Sequence, residues 1–212
     1  LLYIADRLFI DDAEVKRSPK QNIGGWVSGG DIKYLDQPDV NGNYDNVIDS
    51  NDRQYTGMPT TPEIVYGFGP SFRYKKFDFS FFFQGAARVS IMMNGIHPFG
   101  DGETRSVLQF IADDYWSEDN QNIYAKYPRL SKRDNPNNTA WSTYWQRNGA
   151  FLKLKNAEIG FNHKFFRIYL RGSNLLTFSP FKYWDPEMGS GSGLSYPTQR
   201  VFNVGVQFSI NK

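Results

Sequence analysis

The sequence contains no cysteine and only two histidines, His97 and His163. Disulfide scaffolds, thiolate zinc sites and Cys nucleophiles are excluded, and a His-based metal centre has almost nothing to draw on. Neither sign of charge prevails: 24 Lys and Arg against 22 Asp and Glu leave a net charge of +2, with no long block of either. That balance supplies neither the basic stripe that nucleic acid requires nor a polybasic helix for a membrane surface. No run approaches the roughly 18 apolar residues of a membrane-crossing helix, and the mean hydropathy is −0.57. A Gly-rich phosphate loop is also missing. The opening Leu1-Leu2-Tyr3 has no initiator Met and no basic leader, so the chain reads as starting inside a longer polypeptide.

What the chain has in excess is aromatic side chains: 18 Phe, 13 Tyr and 5 Trp, 17% of its 212 residues. They follow a period of two, in a pattern that recurs along the chain. Over 63–74, Ile64, Tyr66, Phe68, Phe72 and Tyr74 alternate with Glu63, Gly67, Ser71 and Arg73. Over 77–91, Phe77, Phe79, Phe81, Phe83 and Val89 alternate with Asp78, Ser80, Gln84 and Arg88. Residues 167–178 set Ile168, Leu170, Leu176 and Phe178 against Arg167, Tyr169, Arg171 and Thr177. Residues 201–210 set Phe202, Val204, Val206, Phe208 and Ile210 against Asn203, Gln207 and Ser209. Such alternation places one face of a strand in an apolar medium and the other in a polar one. A further strand, about 149–162, changes parity between Leu154 and Ala157, which predicts a β-bulge near Lys155–Asn156. Pro70 cannot donate to a ladder and predicts a second local bulge.

The connections differ in length at the two ends of these strands. Lys75-Lys76 and the residues around His163-Lys164 are short turns, whereas 92–148 and 179–200 are long loops. Short turns on one side and long loops on the other describe an outer-membrane β-barrel, and each strand exceeds the roughly nine residues of a tilted crossing. Tyr74, Phe77, Phe161 and Phe165 cluster beside the short turns, where an interfacial girdle belongs. Five strands cannot close a membrane barrel, because the smallest need about eight and an open edge in lipid leaves backbone groups unpaired. The expected fold is therefore all-β, a transmembrane antiparallel β-barrel of which this chain holds only the C-terminal strands. A soluble β-sandwich, a lipocalin-like barrel or a carbohydrate-binding β-domain would alternate in the same way and stands as the alternative.

A family resemblance follows from the motifs. Gly30-Asp31-Ile32-Lys33-Tyr34, the Asp39–Asp52 segment, Tyr66-Gly67-Phe68, Phe82-Phe83-Gln84-Gly85, Asp114-Tyr115-Trp116 and Tyr127-Pro128-Arg129-Leu130 stand in order along the chain. Phe151-Leu152-Lys153-Leu154-Lys155-Asn156, Asn174-Leu175-Leu176-Thr177 and Asp185-Pro186-Glu187 follow. Together they resemble successive blocks of SusC/RagA-type TonB-dependent outer-membrane transporters, and the resemblance covers nearly the whole chain. It implies a barrel of about 22 strands, with residues 1–62 an extracellular loop segment and residues 63–212 the C-terminal strands and their extracellular loops. It also implies import of oligosaccharides or peptides across the outer membrane of Bacteroidota, beneath a SusD-like lipoprotein. TonB would supply the energy through an N-terminal plug outside this chain. Outer-membrane lipid is the remaining partner, and no nucleic acid or organic cofactor is expected. Family members usually end on an aromatic residue, whereas here Ser209-Ile210-Asn211-Lys212 follow Phe208. A passive porin or a surface adhesin is the alternative within the membrane reading.

Candidate site residues fall in the loops. Between Asp39 and Asp52 the spacing resembles a calcium loop with two extra residues: Asp39, Asn41, Asp45, Asp49 and Asp52 would be oxygen ligands and Val47 a carbonyl ligand. Asn46 stands where Gly is usual, and the same spacing also suits a metal-free run of Asx turns. Trp116, Trp141, Tyr144, Trp145 and Trp184 could stack on a substrate, meet a partner, or close the loops on themselves. Arg88, Lys153, Arg167 and Arg171 would face the lumen or the external mouth, where they contact polar substrate or simply solvate a water-filled interior. Enzyme chemistry is not expected: the acid pairs Asp113/Asp114 and Asp185/Glu187 sit on polar loops, and no nucleophile motif accompanies either histidine.

Overall fold

A computed structural model describes residues 1–99 and 104–209. The chain forms two compact units, Leu1–Gly57 with Met92–Gln146, and Met58–Ile91 with Arg147–Lys212.

The second unit is built on one six-stranded sheet. Its strands are β1 (Ile64–Phe68), β2 (Ser71–Tyr74), β3 (Phe77–Ala87), β4 (Phe151–Asn162), β5 (Phe166–Phe178) and β6 (Val201–Phe208). The order is β6-β5-β4-β3-β1, with β2 also on β3, and every pairing is antiparallel. Because the strands lie in one sheet rather than two facing sheets, the sandwich alternative does not hold. Register brings the apolar positions together: Phe83 faces Phe68 and Leu154, Phe161 faces Phe77 and Ile168, and Val206 faces Ile168. Asp78, Glu158, Arg167 and Gln207 share the opposite face.

The expected bulge is present, and it is double. Pairing shifts between Leu154 and Asn156 on both sides of β4. Lys155 is the extra residue relative to β3, while β5 sets Asn174 and Leu175 against it. That one extra residue flips the parity of β4 and keeps Leu152 and Leu154 on the apolar face. Asn174 takes φ +54°, a conformation Asn tolerates better than most residues. The bulge expected at Pro70 is absent. Ile64↔Ala87 through Phe68↔Phe83 and Ser71↔Ser80 through Tyr74↔Phe77 keep one register, so Pro70 interrupts the ladder without shifting it. Its carbonyl still accepts from the Phe81 N–H at 3.0 Å, and only the bond that proline cannot donate is lost.

Edge strands β1, β2 and β6 are exposed on both faces. Phe208 is 77% exposed and Val204 76%, values that water would penalise heavily. Beside the short turns, Lys75 Nζ lies 5.3 Å from the Tyr74 ring and Lys164 Nζ 5.4 Å from the Phe165 ring. Amphipathic pairs of this kind suit the level of lipid headgroups. Ile210, placed in the last alternating run, lies outside the described residues.

The first unit has little regular structure. Short pairs join Leu2–Tyr3 to Arg53–Gln54, Ala5–Leu8 to Ile32–Tyr34, and Lys20–Gln21 to Val47–Ile48. A single helical turn and a half, Asp12–Arg17, starts at Asp11, whose side chain accepts from the Glu14 N–H at 2.7 Å. Leu8, Phe9, Ile32, Tyr34, Ile48, Ile96, Ile111 and Trp145 form its core.

Candidate functional site

The first unit is held by polar side chains that stand in for missing strands. Asn137 Nδ2 donates to the Ile32 carbonyl at 3.0 Å, and Asn138 Oδ1 accepts from the Ile32 N–H at 3.0 Å. Two asparagines thus pair with the backbone of Ile32 as a neighbouring strand would. Gln21 completes the set, accepting from Tyr34 N at 2.6 Å and donating to Asn137 Oδ1 at 2.6 Å. At the centre lies Asp31, fully buried. Its oxygens accept from Asn138 Nδ2 at 2.8 Å, Ser28 N at 2.8 Å and Arg129 Nη2 at 3.1 Å, while Arg129 Nε stands 2.7 Å away. Burial pushes the Asp31 carboxyl up, against the opposing pull of Arg129 and Asn138. The blocks containing Asp31 and Arg129 were visible in the sequence, but their contact was not. A buried Asp facing a Pro-Asn-Asn turn leaves no periodic signal.

The candidate calcium loop is a ladder of Asx turns. Asp39 Oδ1 accepts from Asn41 N and Asn43 N, Asp45 Oδ1 from Val47 N, and Asp49 Oδ1 from Asn51 N, all at 2.8–2.9 Å. Asp52 caps the chain in two directions, accepting from Asp49 N and from Gln37 N at 2.7 Å each. Asn46 has φ +60°, the left-handed conformation its position in the motif requires. Asp36 went unnoticed in the sequence. Its Oδ2 accepts from Asn46 N, while its buried Oδ1 has no partner among the described residues. Desolvation, then the nearby Asp52 and Asp45, push its carboxyl up. Among the described residues, no three acidic or histidine side chains converge on a common metal position.

The loop aromatics separate by burial. Trp116 and Trp145 are core residues: Gly30 has room for the Trp116 ring only because it lacks a Cβ, and Trp145 Nε1 donates to Asn138 O at 2.7 Å. Tyr144 and Trp184 are half-buried, with Tyr144 Oη donating to Ala125 O at 2.8 Å and Trp184 Nε1 to Gly189 O at 3.0 Å. Trp141 is 53% exposed. It borders a cleft of about 500 Å³ with Leu1, Tyr3, Ile23, Arg53 and Pro136, and the Arg53 guanidinium lies 5.1 Å from the Tyr3 ring.

Charges on the wall neutralise one another. Arg167 bonds Asp78 at 2.5 Å and Glu158 at 2.6 Å. Lys153 bonds Asp185 and Glu187, and Arg88 pairs with Glu63. Asp185 and Glu187 are one of the two acid pairs weighed for hydrolysis. Desolvation raises both carboxyls, but Lys153 outweighs it and holds each below the usual range. A glycosidase needs one acid held protonated near neutrality, and this pair runs the other way.

No family model matches the chain. Two curated proteins of Formosa agariphila do. TonB-dependent receptor P3 is 29% identical over 191 residues, 79% of this chain and 18% of the relative. TonB-dependent receptor P26 is 29% identical over an alignment of 222 positions, 92% of this chain and 20% of the relative. The chain therefore spans about a fifth of the length of these relatives. Among solved structures, the RagAB peptide importer in its "open-open" state superposes with a TM-score of 0.65 at 18% identity, covering 99% of this chain and 22% of that one. The "closed-closed" state gives 0.62 at 21% identity, with coverage of 97% and 22%. The importer likeness carries the fold and the receptors carry the sequence similarity. The chain is thus similar in sequence to TonB-dependent receptors and in fold to the RagAB importer, as part of a β-barrel of the Bacteroidota outer membrane would be.

Proposed function

We propose that this chain supplies part of the wall and external rim of an importer that carries oligosaccharides or peptides across the outer membrane. TonB supplies the energy, and a SusD-like lipoprotein closes the outer face. The observation that supports this most directly is the two-sided sheet. Phe68, Phe72, Val204 and Phe208 lie bare on one face, and the paired charges of Asp78, Glu158 and Arg167 line the other. An apolar outside and a hydrated inside are what a lipid-embedded transport barrel needs.

Residues 1–62 stand outside the membrane in this reading. Trp141 meets substrate with its exposed face, while Trp116, Tyr144 and Trp145 shape the loop that carries it and Trp184 shapes the segment after β5. A calcium ion, held by oxygens of Asp39, Asn41, Asp45, Val47, Asp49 and Asp52, offsets the crowding of carboxylates in this segment. Calorimetry on the intact transporter tests the ion, and absence of any calcium heat removes it.

The import reading is tested by uptake of labelled peptides and labelled oligosaccharides into cells with and without the full-length gene. Uptake of one class should require the gene and collapse when a protonophore removes the energy that TonB transmits. Gene-dependent uptake that ignores the protonophore would instead establish a passive porin. Trp141→Ala should raise the concentration for half-maximal uptake several-fold at an unchanged surface amount of protein.

A further inference from the structure

The segment after β5 folds on itself and then back onto the wall. Phe181 is buried and meets Trp184 edge-on at 4.7 Å, and Gly193, at φ +69°, leaves room for the Trp184 ring. The short turn Pro186–Met188 lies against β4. There Lys153 Nζ donates to Asp185 at 2.6 Å and to Glu187 at 2.8 Å, and Lys155 Nζ donates to Glu187 at 2.8 Å. Register places Lys153 opposite Gln84 and Thr177, on the polar face of the sheet. A lysine on the wet side of a barrel wall should be solvated, yet Lys153 is 1% exposed. The covering comes from its bonded partners on the turn. Lys155, two residues further along β4, reaches Glu187 beside it.

We propose that residues 179–200 form a strap folded inward over the transport passage, and that Lys153 and Lys155 are the positioning residues that clamp it to the wall. This rests on the importer reading for the identity of the passage, but the clamp itself does not. Two residues along a strand span about 7 Å at roughly 3.3 Å each, so the strap covers the upper wall over that depth. Two cations and two carboxylates leave the clamp neutral, so it neither attracts nor repels a charged solute. A passing solute instead meets the outer surface of the strap, where Tyr196 is 78% exposed and Leu194 53%. Because Lys153 is fully covered, replacing it with an apolar residue leaves Asp185 without its cation, and replacing Lys155 as well leaves Glu187 without one and frees the strap.

Intact cells carrying the full-length transporter provide the test. External proteinase K should leave 179–200 uncut in the native protein. Lys153→Met with Lys155→Met should raise cleavage within that segment at least tenfold, and Lys155→Arg should keep protection near the native level. The double substitution should also raise the half-saturating substrate concentration several-fold. Equal cleavage of native and doubly substituted protein, whether fast or slow, overturns the clamp. Should the double variant fail to reach the membrane, carbodiimide coupling of the native transporter decides the matter. It should join the Lys155 amine to the Glu187 carboxyl with loss of water, giving a linked peptide that Glu187→Gln abolishes, and absence of that peptide overturns the proposal. A clamp that passes these tests in a protein without energy-dependent uptake would refute the importer reading and leave the strap standing.

Discussion

Removing the Asp31 carboxylate should open the first unit without unfolding the barrel. In Asp31→Ala the Ser28 N–H, the Asn138 amide and the Arg129 guanidinium all lose their acceptor in a site with no water access on the Asp31 side. Breaking a buried ion pair from one side costs about 3–5 kcal/mol, and Arg129, whose side chain is 21% exposed, relieves part of that by reaching water. Taking about 3 kcal/mol as the net cost, local opening becomes about 150-fold more frequent, at 1.4 kcal/mol per decade. Hydrogen exchange of the solubilised full-length transporter, read by mass spectrometry, reports this directly. The amides of Ile32 and Arg129, which donate to Asn138 Oδ1 and Gly30 O, should exchange about two decades faster. Amides of β4 should not change. Asp31→Leu with Arg129→Met removes both charges and should recover much of the loss, leaving the cost of the orphaned Ser28 and Asn138 donors. Less than a fivefold change at Ile32 in Asp31→Ala would refute the assignment of Asp31 as the keystone of this unit.

Three further outcomes follow from the geometry. Lys75 holds φ +53° in the turn between β2 and β3, so Lys75→Gly should stabilise the barrel by about 1 kcal/mol, read as a higher urea midpoint in lipid vesicles. A Cβ at Gly205 would strike the Tyr169 ring, so Gly205→Ala should destabilise by about 1–3 kcal/mol, and adding Tyr169→Ala should return part of it in a double-mutant cycle. Desolvation raises the Glu14 carboxyl, but Arg7, the Ile10 N–H and Lys33 outweigh it and hold its pKa at about 2. The folded value lies below the unfolded value of about 4.3, so its stabilisation is complete above that pH and disappears as pH falls toward 2. Exchange around residues 7–14 should rise across that window, and Glu14→Gln should flatten the profile.

The wall was legible because a strand writes its surroundings into every second residue. Phe77, Phe79, Phe81 and Phe83 announce one face, and the parity change between Leu154 and Ala157 placed the bulge near Lys155–Asn156, where the register shifts. Pro70 misled because the rule about missing donors says what is lost and not what the chain does next. With Gly69 and Pro70 both inside a rigid register, one ladder bond is forfeited and nothing slips. The loops were much less legible. Their order comes from long-range pairings of polar side chains, such as Asn138 with Ile32 and Lys153 with Asp185, whose partners lie 106 and 32 residues away in sequence. A polar residue carries no period that says whether its partner is water or a distant backbone group.

The same reasoning explains why Lys153 and Arg167 of the wall were misjudged and the tryptophans only half judged. Lumen-facing cations were expected to be solvated one by one, and for Arg167 and Lys153 a fixed carboxylate has taken the place of water. Each exchange gains modest energy but removes a mobile charge from the polar face of the sheet. Trp116 and Trp145 were grouped with Trp141 because all three lie in long connections, yet the first two are buried and the third is not. Loops long enough to carry a core of their own must spend aromatics on it, since large rings bury the most area per residue ordered. An aromatic in such a loop is therefore a substrate contact only after the loop's own core has been filled. Here the filled core leaves Trp141 with its face toward solvent.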